Sequence, residues 1–207
     1  LGIDHHALMS DVERLISAML PPSRHFDRSE RLSYREAVQL HAGVDALDDS
    51  VPVLVARLES AGIDVPPSIR ADRDGCLDLI MSTLVGPRLG HDRLSFIYDY
   101  PASQAALAQM RGSVASRFEA YLDGLELANG FHELGDAREQ RSRFEQDLAG
   151  RVARGLQPMP IDERFLAALE HGLPDCSGVA LGFDRLVMCA TGAKHIDEVL
   201  AFPFGYA

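Results

Sequence analysis

The sequence predicts an α+β fold: an antiparallel β-sheet flanked by helices, with a small helical insertion ahead of the sheet. Three observations predict it. The first third reads at helical spacing, the middle carries two strand-like runs joined at Asp123-Gly124, and the last third runs from a small-residue strand straight into a helix. Asp-Gly between two such runs is a strong short-range hairpin signal.

Residues 5–20 place Leu8, Val12, Leu15, Ile16 and Met19 on one helical face, with Asp4 as cap and Pro21-Pro22 as stop. Residues 23–32 are polar and read as a linker, which closes a first stretch, 1–32. Residues 33–90 read as a small helical insertion. Ser33 and Glu36 form a capping box, Val51, Leu54, Val55 and Leu58 repeat at helical spacing, and Leu77, Ile80, Met81 and Leu84 repeat the plan before Gly86-Pro87. Nothing in this unit converges on chemistry, and packing is its expected role. From 91 to 207 the style changes. "LSFIYDYP" reads as a strand, 116–124 and 125–134 as a hairpin, and a helix follows from Asp136 to Gly155. "DERFLAALEHG" is a short helix, "CSGVALG" a strand and "FDRLVMCATG" a helix entered from it.

The 207 residues suffice for one domain with a small insertion. A net charge of −11 argues against a general nucleic-acid footprint, although a local basic patch can exist on an acidic protein. Apolar runs fall far below the ~18 residues a membrane span needs, and no signal-peptide pattern opens the chain. Cys76, Cys176 and Cys189 are odd in number and lack CxxC spacing, so a reducing cytoplasm is the expected location. His5-His6 suits a solvated helix start better than a metal site.

The stretch "GLELANGFHEL" carries Glu126, Asn129, His132 and Glu133 on a half-buried strand, where unpaired polar groups cost several kcal/mol. Strict alternation puts Asn129, Phe131 and Glu133 on one face and Glu126 on the other. Across the hairpin Glu119 lies about as far from the turn as Glu126. Carboxylates brought close resist joint ionisation, and a divalent cation removes that repulsion. Equally, both are compatible with a solvated sheet face. Asn129 is harder to dismiss, because Asn is depleted in strands.

"RFEAYLDGLELANGFHELGDAREQRSRFEQD" followed by "GLPDCSGVALGFDRLVMCATGAKHIDEVLAFP" resembles the C-terminal half of a class II lysyl-tRNA synthetase catalytic domain. It is similar in particular to the paralogues that lysylate elongation factor P, and "GVALGFDRLVM" looks like class II motif 3. The resemblance implies a class II synthetase-like catalytic core, incomplete here, that uses ATP and Mg²⁺. It implies Glu119 and Glu126 as holders of Mg²⁺ against ATP, and Asn129, Phe131 and Glu133 as the lysine site, with Glu133 facing the ammonium group. It implies Arg185 against adenine and the γ-phosphate, and Gly182 where substrate and nucleotide approach closely. Such roles suit the chemistry, since an ammonium needs a carboxylate and a planar guanidinium both stacks and contacts phosphate.

Ala180 stands where ordinary lysyl-tRNA synthetases resemble a glycine, and in the elongation factor P branch alanine there goes with β-lysine. The other departure is an absence: motifs 1 and 2 are missing, and "LGIDHHALM" resembles the segment just after motif 2. The expectation is a C-terminal portion that does not activate lysine alone. The expected partners are lysine or β-lysine and elongation factor P, with tRNA as the less favoured acceptor and a homodimer for the full-length enzyme. The alternatives are a lysyl-tRNA synthetase fragment and a non-catalytic half-domain that binds a partner.

Overall fold

The computed structural model describes residues 1–206. Helix α1 spans His5–Met19 and begins where the Asp4 carboxylate accepts the Ala7 N–H at 2.9 Å. Helix α2, Tyr34–Ala42, opens on the capping box of Ser33 and Glu36 and stops at Gly43, which takes the left-handed conformation with φ 73°. Helices α3, Val51–Ser60, and α4, Arg73–Ile80, follow, and α4 continues through a π turn at Met81–Val85 and a 3₁₀ turn at Gly86–Arg88.

The sheet contains β1 (Glu30–Ser33), β2 (Ser95–Pro101), β3 (Met110–Arg111), β4 (Val114–Leu122), β5 (Leu125–His132) and β6 (Ser177–Leu181). Its order is β1-β2-β4-β5-β6, with the short β3 added beside the start of β4. All pairs are antiparallel except β1 with β2. Strand β1 corrects the reading of 23–32 as linker throughout. Its sequence "ERLS" is short and polar because it is an edge strand, so no apolar alternation marks it. The Asp123-Gly124 turn has φ 54° and 75°, the doubly positive geometry that matches strand twist. Arg24 clamps both Asp123 carboxylate oxygens at 2.7 and 2.6 Å, which ties the turn to the segment after α1.

One hydrophobic cluster lies on each face of the sheet. Met9, Val12 and Ile16 of α1 join Leu186 and Cys189 of α7 (Phe183–Thr191) against Phe96, Phe118, Ala120 and Ala128. On the other face α2, α3 and α4 pack over Ile97, Tyr100, Ala115 and Tyr121. These helices cover β2 and β4. Helices α5 (Ala137–Ala153) and α6 (Glu163–His171) pack on each other, with the Phe144 and Phe165 rings 5.9 Å apart. His5 is 2% exposed, which corrects the expectation of a solvated histidine: its ring turns in under β2 instead of outward.

Candidate active site

Two bulges build the site. Between β4 and β5 the register runs Arg117 opposite Phe131, Glu119 opposite Asn129 and Ala120 opposite Ala128, and then shifts so that Tyr121 faces Glu126. Leu127 is therefore an extra residue on β5. Directly paired residues share a face, so the shift turns Glu126 onto the side of Glu119 and Asn129. Strict alternation, which sends Glu126 to the opposite face, is corrected by this one residue. The Leu127 carbonyl accepts the Gly182 N–H at 2.8 Å, and Arg185 Nη1 donates to the Glu126 carbonyl at 2.8 Å. The second lies between β2 and β4, where Ser116 and Arg117 of β4 oppose the single Asp99 of β2, a non-glycine residue with φ 57°. It turns Tyr100 onto the same face.

Together these strands and the helices above them enclose a cavity of about 280 Å³. The strands supply Arg117, Glu119, Tyr121 and Glu126, while α2 supplies Tyr34 and α4 supplies Asp78. Arg117 is its hub. Its guanidinium donates to Glu119 Oε1 at 2.6 Å, to Asn129 Oδ1 at 3.3 Å and to the Gln104 carbonyl at 3.0 Å, and lies 4.3 Å from the Tyr100 ring centre. The other Glu119 oxygen accepts the Tyr121 hydroxyl at 2.6 Å. Burial, followed by the neighbouring Glu119 charge, pushes the Tyr121 phenol far up, so it stays a donor. The Tyr34 and Tyr100 hydroxyls are buried without a hydrogen-bond partner.

Glu126 differs from Glu119. Among the described residues nothing donates a hydrogen bond to its carboxylate. Burial raises its pKa, the Glu119 charge raises it further, and Arg185 opposes both. A carboxylate pushed up by burial and a like charge is one that a divalent cation would relieve. The donor set fits Mg²⁺, which takes oxygen ligands and commonly one or two carboxylates beside phosphate. Glu126 is the more available ligand, because both Glu119 oxygens are already held.

The same face continues toward β6. Asn129 pairs with Ala180 and Phe131 with Gly178. Glu133 follows, its backbone N–H bonded to the Cys176 carbonyl at 2.9 Å and its carbonyl accepting Gln109 Nε2 at 3.0 Å. A Cβ at Gly178 would strike the Glu133 carboxylate, so glycine there leaves the room that this group occupies. Burial raises the Glu133 pKa, and no side chain among the described residues pairs with it. It is a half-buried carboxyl without a side-chain partner, and an ammonium is the group that would pair with it. Gly182 needs no special conformation, and a Cβ there would meet only the Arg185 stem at 3.4 Å. Ala180, Gly182 and Arg185 are exposed at the margin of the site.

The sequence reading missed Arg117, Tyr34, Asp78 and Tyr100. Arg117 had a signal, since it alternates with Glu119 on one strand. Tyr34 and Asp78 had none, because they reach the cavity only through the packing of α2 and α4 on the sheet. Residues 33–90 do pack as one side of the core, and Tyr34 and Asp78 additionally line this cavity.

Residues 3–205 match the family described as tRNA synthetases class II (D, K and N), and the chain belongs to that family. The fold is a class II synthetase-like domain of α+β type built on a mixed six-stranded sheet. Among curated proteins it is similar to the elongation factor P--(R)-beta-lysine ligase of Vibrio parahaemolyticus, 46% identical over 210 residues that cover 100% of this chain and 64% of that protein. The ligase of the same name from Klebsiella pneumoniae is 49% identical over 205 residues, 96% of this chain and 61% of that protein. That from Yersinia enterocolitica is 47% identical over 210 residues, 99% and 62% respectively. The chain thus spans a little under two thirds of the length of the relatives it matches. No helix among the described residues is long and apolar enough to cross a membrane.

Proposed function

We propose that the full-length protein of which this chain forms part activates lysine or (R)-β-lysine with ATP and transfers it to a lysine of elongation factor P. The observation that carries this reading is the single face on which the bulge sets Glu119 and Glu126 beside Asn129, with Glu133 unpaired two residues beyond Phe131. Relatives that share nearly half of the residues are named as ligases of this kind.

The substrate carboxylate attacks the α-phosphorus of ATP, the bond to pyrophosphate breaks, and an acyl-adenylate forms. The acceptor amine, having shed its proton, then attacks the acyl carbon, an amide forms and AMP leaves. Glu133 holds the substrate ammonium, and Asn129 and Phe131 fix the chain beside it. Glu119 and Glu126 hold Mg²⁺, which neutralises phosphate charge when bound. Arg185 faces the nucleotide from α7, and Gly182 leaves its approach open. Arg117 keeps Glu119 in position. No enzyme nucleophile is required, so positioning and charge carry the catalysis. Ala180 adds a methyl at the exposed margin of this face, and relatives named as (R)-beta-lysine ligases support β-lysine over α-lysine. The enzyme acts in the cytoplasm as a homodimer, with residues 33–90 as the helical wall over its cavity.

The test uses the full-length protein with ATP and either lysine isomer. Mass spectrometry of elongation factor P shows a gain of one lysyl group, larger in yield with (R)-β-lysine, while tRNA stays uncharged. Charging of tRNA without modification of elongation factor P would replace this reading with a lysyl-tRNA synthetase. Absence of both reactions would leave a non-catalytic binding module.

A further inference from the structure

We propose that His5, His6 and Asp99 form a transition-metal site suited to Zn²⁺, with water in a fourth position, remote in role from the nucleotide cavity. One ligand atom from each residue lies within 4.8 Å of the others. The cluster joins two elements far apart in sequence, the first turn of α1 and the Asp99 kink of β2.

The geometry suits an ion better than a hydrogen bond. His5 Nε2 and Asp99 Oδ1 are 3.3 Å apart. A charge-assisted hydrogen bond is normally about 2.7–2.9 Å. Two ligands of a tetrahedral zinc, each about 2.0–2.1 Å from the metal, stand about 3.3 Å from one another. His5 is 2% exposed, and its Nε2 makes only this one long contact, so the buried imidazole nitrogen that faces Asp99 and His6 is free to take an ion.

Each ligand is also oriented. Arg111 Nη2 donates to Asp99 Oδ2 at 2.7 Å, which leaves Oδ1 toward the histidines. The His6 ring rests edge-on against Tyr98, with centroids 5.1 Å apart, and is 4.1 Å from the His5 ring. Two imidazoles and one carboxylate are ligands that zinc accepts. Asp99 holds φ 57°, a conformation that persists in non-glycine residues where surroundings over-determine it.

A metal here has a structural consequence. It pins α1 to the bulge that turns Tyr100 into the cavity, where the Tyr100 ring lies under Arg117. The site therefore clamps the support of the catalytic face and supplies no reacting atom.

Co²⁺ titration of the intact chain tests this by its visible ligand-field spectrum. The expected result is a band that saturates at one equivalent and is bleached by one equivalent of Zn²⁺. His6→Ala and Asp99→Asn each weaken binding at least tenfold, and His91→Ala on the surface leaves it unchanged. His6 is only half-buried, and Asn tolerates the left-handed conformation at 99, so both variants fold; far-UV circular dichroism verifies this. No saturable band in the wild-type chain overturns the proposal. So does a one-equivalent site that survives both substitutions.

Discussion

Arg117 holds more of the site than any other side chain. It pairs with Glu119, whose side chain is 9% exposed, and spans to Asn129 and the Gln104 carbonyl. Truncating one partner of a buried ion pair leaves the other charged and unpaired, at a cost of about 3–5 kcal/mol. Arg117→Ala is therefore expected to lower the stability measured by urea unfolding by that order, whereas Arg117→Lys loses less because a cation remains. Glu126 makes the opposite prediction. Its folded pKa lies above that of an ordinary glutamate, so over that interval the folded state keeps a proton that the unfolded chain has released. Stability contributed below the ordinary value is lost as pH rises through the raised one. Glu126→Gln is thus expected to raise Tm at pH 7.5, and the gain is expected to shrink as pH falls below the ordinary glutamate value, where the wild-type carboxyl becomes protonated in both states. An equal gain above and below that value would show that the carboxylate charge is not its cause.

Elements explain what was legible in the sequence. Asp123-Gly124 declared the hairpin because doubly positive φ is a demand that few residue pairs meet. Asp4, Ser33 and Asp136 declared helix starts, and each accepts backbone N–H groups there. The β-bulge was not read, although Leu127-Ala128 breaks alternation with two successive apolar residues. Both serve the core beneath the sheet, and that is why Glu126 can turn up. The parallel edge strand β1 stayed hidden because its pairing with β2 is made at a distance of some sixty residues, with no local pattern. Ser33 joins these levels, since it ends β1 and caps the helix whose first residue is Tyr34. Ser33→Ala is expected to cost about 1 kcal/mol, the usual value for a lost cap. The change is read as a lower urea midpoint, with a disturbed Tyr34 resonance if the cap also positions the cavity wall. An unchanged midpoint would contradict the role of the cap.

At the scale of the molecule, the sheet divides two jobs between its faces. The face under α1 and α7 is filled with apolar side chains, while the face under α2–α4 is covered over β2 and β4 and left open over β5 and β6. Site residues fall along that margin. The sequence could list Glu119, Glu126, Asn129, Phe131, Glu133, Ala180, Gly182 and Arg185 through resemblance, but not the Arg117 hub or the tyrosine wall, which exist only once helices dock on strands. Strand β6 ends the sheet, and Val179, Phe183, Phe202 and Phe204 are exposed near it or after it in the chain. With a net charge of −11, the molecule presents no general repulsion to the cationic amine end of a substrate.

The central claim is that one face carries two separable functions, phosphate-side carboxylates at one end and an amine-binding carboxylate at the other. Calorimetric titration of the full-length protein tests it most directly, with Mg²⁺–ATP and (R)-β-lysine measured separately against Glu126→Gln and Glu133→Gln. Glu133→Gln is expected to lose amine affinity at least a hundredfold while keeping Mg²⁺–ATP, and Glu126→Gln to do the reverse. Variants that leave both ligands untouched, or that lose both equally while remaining folded, would contradict it.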